Sequence, residues 1–335
     1  MIKFSKLKNS AIILVCSILS VGLSGQLVIE PNGEPEALIQ EFLLGSGVVI
    51  DNISFSGDWL QLGQFDGAED IVGMESGLIL STAGVLGSMT GGEMPIGNAI
   101  DGDDDLMILA NTVPALIGQG FYIYEVFDVA SLEFDFIPLG DSLAFNFVFG
   151  SDEYMEWVNT NYNDVFGFFI SGPGITGPYQ APEDFPNGAA NIAFIPESDP
   201  QLPITVSSVN AGINSDYYND NQNNVDIFID GYTDVITASA NGLTVGETYH
   251  MRLAIADGSD NAFESIVMLE AGTFSSYLTV EPGSPGDFDG DGDLDVGDLL
   301  ILIGEIGCTG EDCVGDLNGD GIVNVLDILD FLGLF

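Results

Sequence analysis

Two stretches near the C-terminus place oxygen-bearing side chains at the intervals that a hard cation requires. Asp287, Asp289, Asp291, Asp295 and Asp298 stand at positions 1, 3, 5, 9 and 12 of one loop, and Asp316, Asn318, Asp320, Asn324 and Asp327 repeat them. Position 7, where a backbone carbonyl serves, is Asp293 in the first loop and Ile322 in the second, and the sharp turn at position 6 falls on Gly292 and Gly321. Calcium takes roughly six to eight oxygens, and this spacing wraps the chain so that alternate residues point inward. Two Ca2+ ions, one per loop, are the expected cofactors. Asp298 and Asp327 replace the usual Glu at position 12 and leave bidentate ligation open on a shorter stem. The alternative is a solvated Asp/Gly linker. Such a linker has no reason to repeat both the glycine and the apolar residues at position 8, Leu294 and Val323.

The elements that must hold these loops are also repeated. The second loop starts 29 residues after the first, at 316 against 287, and each runs into an apolar, helix-like segment, Leu299 to Ile303 and Ile328 to Leu332. A loop followed by one helix, duplicated over 286–335, resembles a type I dockerin repeat rather than a full helix-loop-helix EF-hand. That resemblance implies a cohesin-like partner. Cellulosomal dockerins carry small hydroxyl residues just after position 9, whereas Val296-Gly297 and Val325-Leu326 stand there in this chain. Between the repeats lie Cys308 and Cys313, expected to form one disulfide in an oxidising compartment, with two free thiols as the alternative.

Charge narrows the partners. Four Lys+Arg stand against 52 Asp+Glu, a net −48, and Lys3, Lys6 and Lys8 leave Arg252 as the one base in the rest of the chain. Nucleic acid and anionic membrane surfaces, both bound by neutralising Lys and Arg, are excluded as partners. With 46% hydrophobic and 10% aromatic residues the chain can bury a core, so it is expected to fold. The three lysines, the apolar run Ala11 to Leu23 and Leu23-Ser24-Gly25 read as a cleaved secretory signal over 1–25, removing Cys16. Val15 occupies the place where a lipoprotein site needs a small residue before its cysteine, which argues against a lipid anchor. A secreted, extracellular or cell-surface location follows, with no membrane insertion after cleavage.

Composition divides the mature chain into a β-rich domain over 26–280, a Pro/Gly linker over 281–285 and the Asp-rich tail over 286–335. Period-two alternation marks Leu143 to Phe149 and Tyr249 to Ile255 as strands. Further strands are predicted at Gly47 to Ser54, Gly77 to Ser81, Ser131 to Ile137, Val165 to Ile170, Ile192 to Ile195, Ile227 to Ile229, Val235 to Ala240 and Ser265 to Glu270. The fold class is mainly β: an antiparallel sandwich or jelly-roll-like domain followed by a small α-helical calcium-binding tail.

The segments Gly77-Leu-Ile-Leu-Ser-Thr-Ala-Gly84, Phe149-Gly-Ser-Asp-Glu-Tyr154, Asn163 to Gly174 and Tyr249 to Asp257, ending in Leu269-Glu-Ala-Gly272, resemble the choice-of-anchor L domain over roughly 35–276. The resemblance implies an exported bacterial surface module and brings no catalytic residues. In the residues themselves, Asp152, Glu153 and Asp164 read as turn carboxylates beside an aromatic core, a ligand border, or a glycosidase-like pair. Asp101, Asp103, Asp104 and Asp105 read equally as a calcium collector or a solvated turn. His250 reads as an outward strand residue, and Arg252 as an isolated base or an organiser of acidic groups. The expected function is an exported, non-catalytic binding or adhesion module whose ligand is an extracellular protein or glycan. The alternative is a glycan-active hydrolase docked through its tail.

Overall fold

Alternation of apolar and polar residues builds two antiparallel sheets in the computed structural model, which describes residues 27–92, 94–223, 227–310 and 313–334. The signal reading and Cys16 fall outside the described residues. In the larger sheet the strand order is β1 (Val28–Pro31), β3 (Leu62–Asp66), β4 (Ser76–Ser81), β13 (Ser265–Glu270), β6 (Ser142–Ser151), β10 (Gly231–Thr233) and β9 (Tyr218–Asp220). Strands β11 (Ile236–Asn241) and β14 (Ser275–Thr279) also pair with β6, and β14 pairs in turn with the short β15 (Asp293–Leu294). The second sheet runs β2 (Val48–Ser56), β5 (Val126–Pro138), β12 (Tyr249–Gly258), β7 (Val165–Ser171) and β8 (Ala190–Asn191).

The inward positions are aromatic, and they interlock between the sheets. Phe145, Phe147 and Phe149 of β6 meet Phe166 and Phe168 of β7 with ring centroids 4.9–5.4 Å apart. Phe134 and Phe136 of β5 close on Phe274 from the other side. Rings this large remove much apolar surface from water and add edge-to-face attraction, so this layer is the main source of cohesion.

Helices of two turns or more are α1 (Asp104–Leu116), α2 (Val296–Gly304) and α3 (Val325–Leu332). Leu106, Leu109, Ala110 and Val113 give α1 one apolar stripe, and the first three pack on Phe169, Val165 and Ala254 on the outer face of the second sheet. Gly167 permits this approach: a Cβ there would lie 2.5 Å from the Phe169 ring and 2.9 Å from Leu109. The helix thus covers one end of that face and leaves the rest of β5 and β12 open.

Two predicted strands are corrected. Ile192 to Ile195 carries only an isolated bridge at Phe194, because the Asn191 side chain takes the amides of Phe168 and Ala193 and donates to the carbonyl of Ala193. Ile227 and Ile229 are buried, but the Asn221 amide group satisfies both their carbonyls, so no ladder forms. Helix α1 has no counterpart among the predicted elements.

The tail has its own small core of Leu294, Leu302, Val323 and Phe331, with Phe288 stacked 6.1 Å from Phe331. Leu278 and Val280 from β14 join it. The stretch 281–285 is pinned by turns: Ser284 donates to Glu281, Asp287 to Ser284, and the Gly283 amide to Asp287 Oδ2.

Candidate functional site

The first calcium-type loop gathers its carboxylates into two triads. Asp287, Asp289 and Asp291 form one and Asp293, Asp295 and Asp298 the other, each with ligand oxygens within 4.8 Å of one another, so either could hold a metal ion. Gly292 and Gly321 adopt φ of +91° and +85°, the left-handed turn that position 6 demands. Burial and the charges of Asp291 and Asp295 push the Asp293 carboxyl up to about 6. Without a cation, these groups repel.

The residues at positions 9 and 12 have a second task. Asp295 caps the N-terminus of α2 and Asn324 that of α3, each in a capping box with Asp298 or Asp327 three residues on. Asp298 is fully buried and clips its loop shut, accepting from Phe288 at one end and Asp295 at the other. Asp327 does the same between Asn318 and Asn324. In the second loop Asp316 accepts from Asp320 and Gly321, and Asn318 from Asp320. With Asn at two ligand positions, no acidic triad converges there among the described residues. The position-8 residues sit where the repeat predicts, in the tail core. Their strand partners differ: Leu294 pairs with Leu278 of β14, whereas the Val323 backbone bonds to Gly307 and Cys308. Cys308 and Cys313 form a disulfide beside it.

A second site stands on the open face of the second sheet. His250 and Arg252 occupy alternate positions of β12, opposite Asp135 and Glu133 of β5 in register, so all four side chains share that face. The guanidinium donates to Asp105 at 3.0 Å, to Asp103, and to Ser131 at 3.2 Å, while lying 5.2 Å from the Phe169 ring centre. His250 Nδ1 lies 2.9 Å from Asp135 and Nε2 3.4 Å from Glu133. Burial pulls the His250 pKa down, but hydrogen bonds to Glu133 and Asp135 prevail and raise it. The His250 hydrogen bond chiefly holds Glu133 below the usual carboxylate range. His250, Arg252, Glu133, Asp103 and Asp105 line a basin of about 380 Å³ that also takes in Gln180 and Pro182. Of the residues at 101–105, Asp101 and Asp104 are exposed to solvent, whereas Asp103 caps α1 through Oδ1 and turns its other oxygen to Arg252, and Asp105 is buried against the same base. The alternation of β5 places Glu133 and Asp135 on one face, but their position opposite His250 and Arg252 comes from a pairing of strands more than 100 residues apart and leaves no local sign.

Asp152, Glu153 and Asp164 do not share a cleft. Glu153 and Asp164 are 1% and 0% exposed, out of reach of a polysaccharide, while Asp152 turns to the backbone of Asp230.

A β-sandwich body with an acidic, loop-and-helix tail is the class that these features define. A family model described as the choice-of-anchor L domain matches residues 28–275, and the chain belongs to that family. No curated protein and no solved structure matches the chain, and no dockerin-like repeat family is detected. Membership points to a cell-surface or extracellular protein. Among the described residues, no helix is long and apolar enough to cross a membrane.

Proposed function

We propose that this chain is an exported, non-catalytic surface-binding module whose two calcium-loaded, dockerin-like repeats attach it to a protein partner. The observation that carries the reading is the outer side of the tail. Val296 and Leu300 of α2 and Val325, Leu326, Leu329 and Leu332 of α3 are each more than half exposed, although the helices have a core of their own to bury against. Apolar side chains gathered this densely on a domain of about fifty residues mark an interaction surface. Asp and Glu surround them, and the tail holds neither Lys nor Arg, so the fitting partner is an apolar patch rimmed by bases. Calcium suits the loops because the ligands are all oxygens and the spacing fits its large, flexible shell.

The body then presents the ligand surface, with the basin around His250 and Arg252 as its most structured polar feature. The test is retention on the secreting cells. The chain with Leu326→Asp and Leu329→Asp is expected to be released into the medium, as is the unaltered chain when calcium is chelated. Equal retention in all three cases would refute attachment through the tail.

A further inference from the structure

The end of the sandwich where β6, β7, β12 and β13 meet buries acidic groups without a base. Glu153 follows β6, Asp164 precedes β7, Asp257 is next to last in β12, and all three are 3% exposed or less. Among the described residues the only Arg is committed to Asp103 and Asp105 and the only His to Glu133 and Asp135, on the opposite face of the sheet. No protein cation is left for this cluster.

Some of its oxygens are already satisfied. Asp164 Oδ1 accepts from the Gly258 amide at 2.9 Å, its Oδ2 from Ser265 Oγ at 2.6 Å, and Glu153 Oε2 from the Asp164 amide at 3.4 Å. Others are not. Glu153 Oε1 and Asp257 Oδ1 have no hydrogen-bond partner, and neither does the wholly buried hydroxyl of Tyr154, which feels the charges of Glu153 and Asp164. A buried carboxylate oxygen with no donor loses its hydration without compensation, and the penalty grows when a second carboxylate lies beside it. Burial first, and neighbouring carboxylates second, raise the pKa of Glu153 and of Asp257. Two remedies exist: protonation, or a cation.

We propose that Glu153, Asp164 and Asp257 form a divalent-cation site inside the β-sandwich, separate from the tail loops and suited to calcium. All the donors are oxygens, which excludes softer metals by chemistry. Calcium's flexible shell of oxygens accepts carboxylates from separate segments more readily than an octahedral magnesium shell does. Asp260 borders the site, its charge felt by both Glu153 and Asp164, and is partly exposed, which gives an ion a way in. Among the described residues only the tail triads already hold three acidic ligand atoms within 4.8 Å, so the ion would draw Glu153 Oε1 and Asp257 Oδ1 inward. Bound there, it ties the ends of β6, β7 and β12, which are distant in sequence. The three carboxylates lie in the segments Phe149 to Tyr154, Asn163 to Gly174 and Tyr249 to Asp257, which otherwise have no assigned chemistry.

The test uses the full mature chain and its Glu153→Gln, Asp164→Asn and Asp257→Asn variants, with calcium or terbium alone as the probe. The Trp157 amide bonds to the carbonyl of Glu153 at 3.1 Å, and no Trp occurs after 157, so terbium emission excited through tryptophan reports on the body and not on the tail. The expected result is one calcium more per chain in the unaltered protein than in the variants. Tryptophan-sensitised terbium affinity should fall at least about tenfold in each variant, the scale for disturbing a metal's ligand set. In chelator the order reverses for Glu153→Gln and Asp257→Asn, which should melt above the unaltered chain because each removes a buried carboxylate with an unpartnered oxygen, whereas Asp164→Asn also loses bonds to Gly258 and Ser265 and is read by metal binding alone. Equal calcium stoichiometry and equal terbium emission in the unaltered chain and all variants would overturn the site. So would Glu153→Gln and Asp257→Asn melting lower, or failing to fold, in chelator, since that would mean those two carboxylates are already satisfied within the protein.

Discussion

Arg252 and His250, two residues apart on β12, divide one carboxylate between them: Glu133 Oε1 lies 3.8 Å from Arg252 Nε and its Oε2 3.4 Å from His250 Nε2. The only two basic residues of the described body therefore sit within one charge network. Around them are Asp103, the cap of α1, Asp105 within α1 and Asp135 from β5. Positive charge in so acidic a chain is used to join the helix to the sheet.

This network makes stability depend on pH with a definite sign. The folded His250 pKa is raised, so its contribution is complete below the unfolded value of about 6.5 and fades as pH rises through the folded one. Glu133 is shifted down, so its contribution is present above its ordinary value and lost as pH falls through the lowered one. His250→Gln should therefore be less stable than the unaltered chain by on the order of 1 kcal/mol in mild acid, the scale of a partly exposed pair. The gap should close in alkaline buffer. Urea midpoints across pH measure this, and a gap that stays constant or widens upward would contradict the assignment.

Removing Arg252 is more damaging, because it strands two carboxylates of which Asp105 is 2% exposed. Arg252→Gln should cost about 3 kcal/mol, the range for losing one partner of a buried pair. The Arg252→Gln, Asp105→Asn double variant should recover part of it, since the stranded charge goes too. Denaturant melts of the single and double variants decide this. No recovery would show that Asp105 is not the group left uncompensated.

How much of this was legible depended on range. The alternation of Phe145, Phe147 and Phe149 and the spacing of 287 to 298 are local patterns, and both sheet and loops follow them. Helix α1 also left a local signal, Asp103 as cap with Asp104 and Asp105 in the first turn, but adjacent aspartates read equally as a calcium collector or a solvated turn. Glu153 and Asp164 stand out as carboxylates beside aromatic residues, but nothing local shows that they are buried or that they meet Asp257. Asp164 meets Ser265 across 101 residues, and nothing within either segment announces burial. The pairing of β14 with β15 was hidden for the same reason, because a Pro/Gly linker reads as a break whatever its flanks do.

The seat of α1 depends on Gly167. Its replacement by Ala places a methyl 2.5 Å from Phe169 and 2.9 Å from Leu109, and the helix must lift or the ring must turn. Overpacking of this kind costs about 1–3 kcal/mol. Phe169 also lies under the Arg252 guanidinium, so the substitution should loosen the Arg252 network as well. Equilibrium unfolding of Gly167→Ala should show the loss, and the pH-dependent increment from His250 should shrink with it. An unchanged midpoint would show that the contact relaxes freely.

The two tail loops should differ in what they release. The first is stitched to the body: Leu278 and Thr279 of β14 pair with Leu294 and Asp293, and the Val280 amide donates to the Gly292 carbonyl at 2.8 Å. The second bonds to Gly307 and Cys308 beside the disulfide, and among the described residues no strand of the body pairs with it. Asp287→Ala removes a carboxylate that takes the amides of Gly283 and Gly290, so it should weaken metal binding in the first loop and free β15 from β14. Asp316→Ala should weaken the second loop while leaving that pairing intact. Amide hydrogen exchange at Val280 reads the difference directly, because its protection rests on Gly292. It should rise by an order of magnitude or more in Asp287→Ala, about 1.4 kcal/mol of lost protection, and stay unchanged in Asp316→Ala. Equal acceleration in both would mean that the repeats open as one unit, with the β14–β15 pair following the tail rather than its first loop.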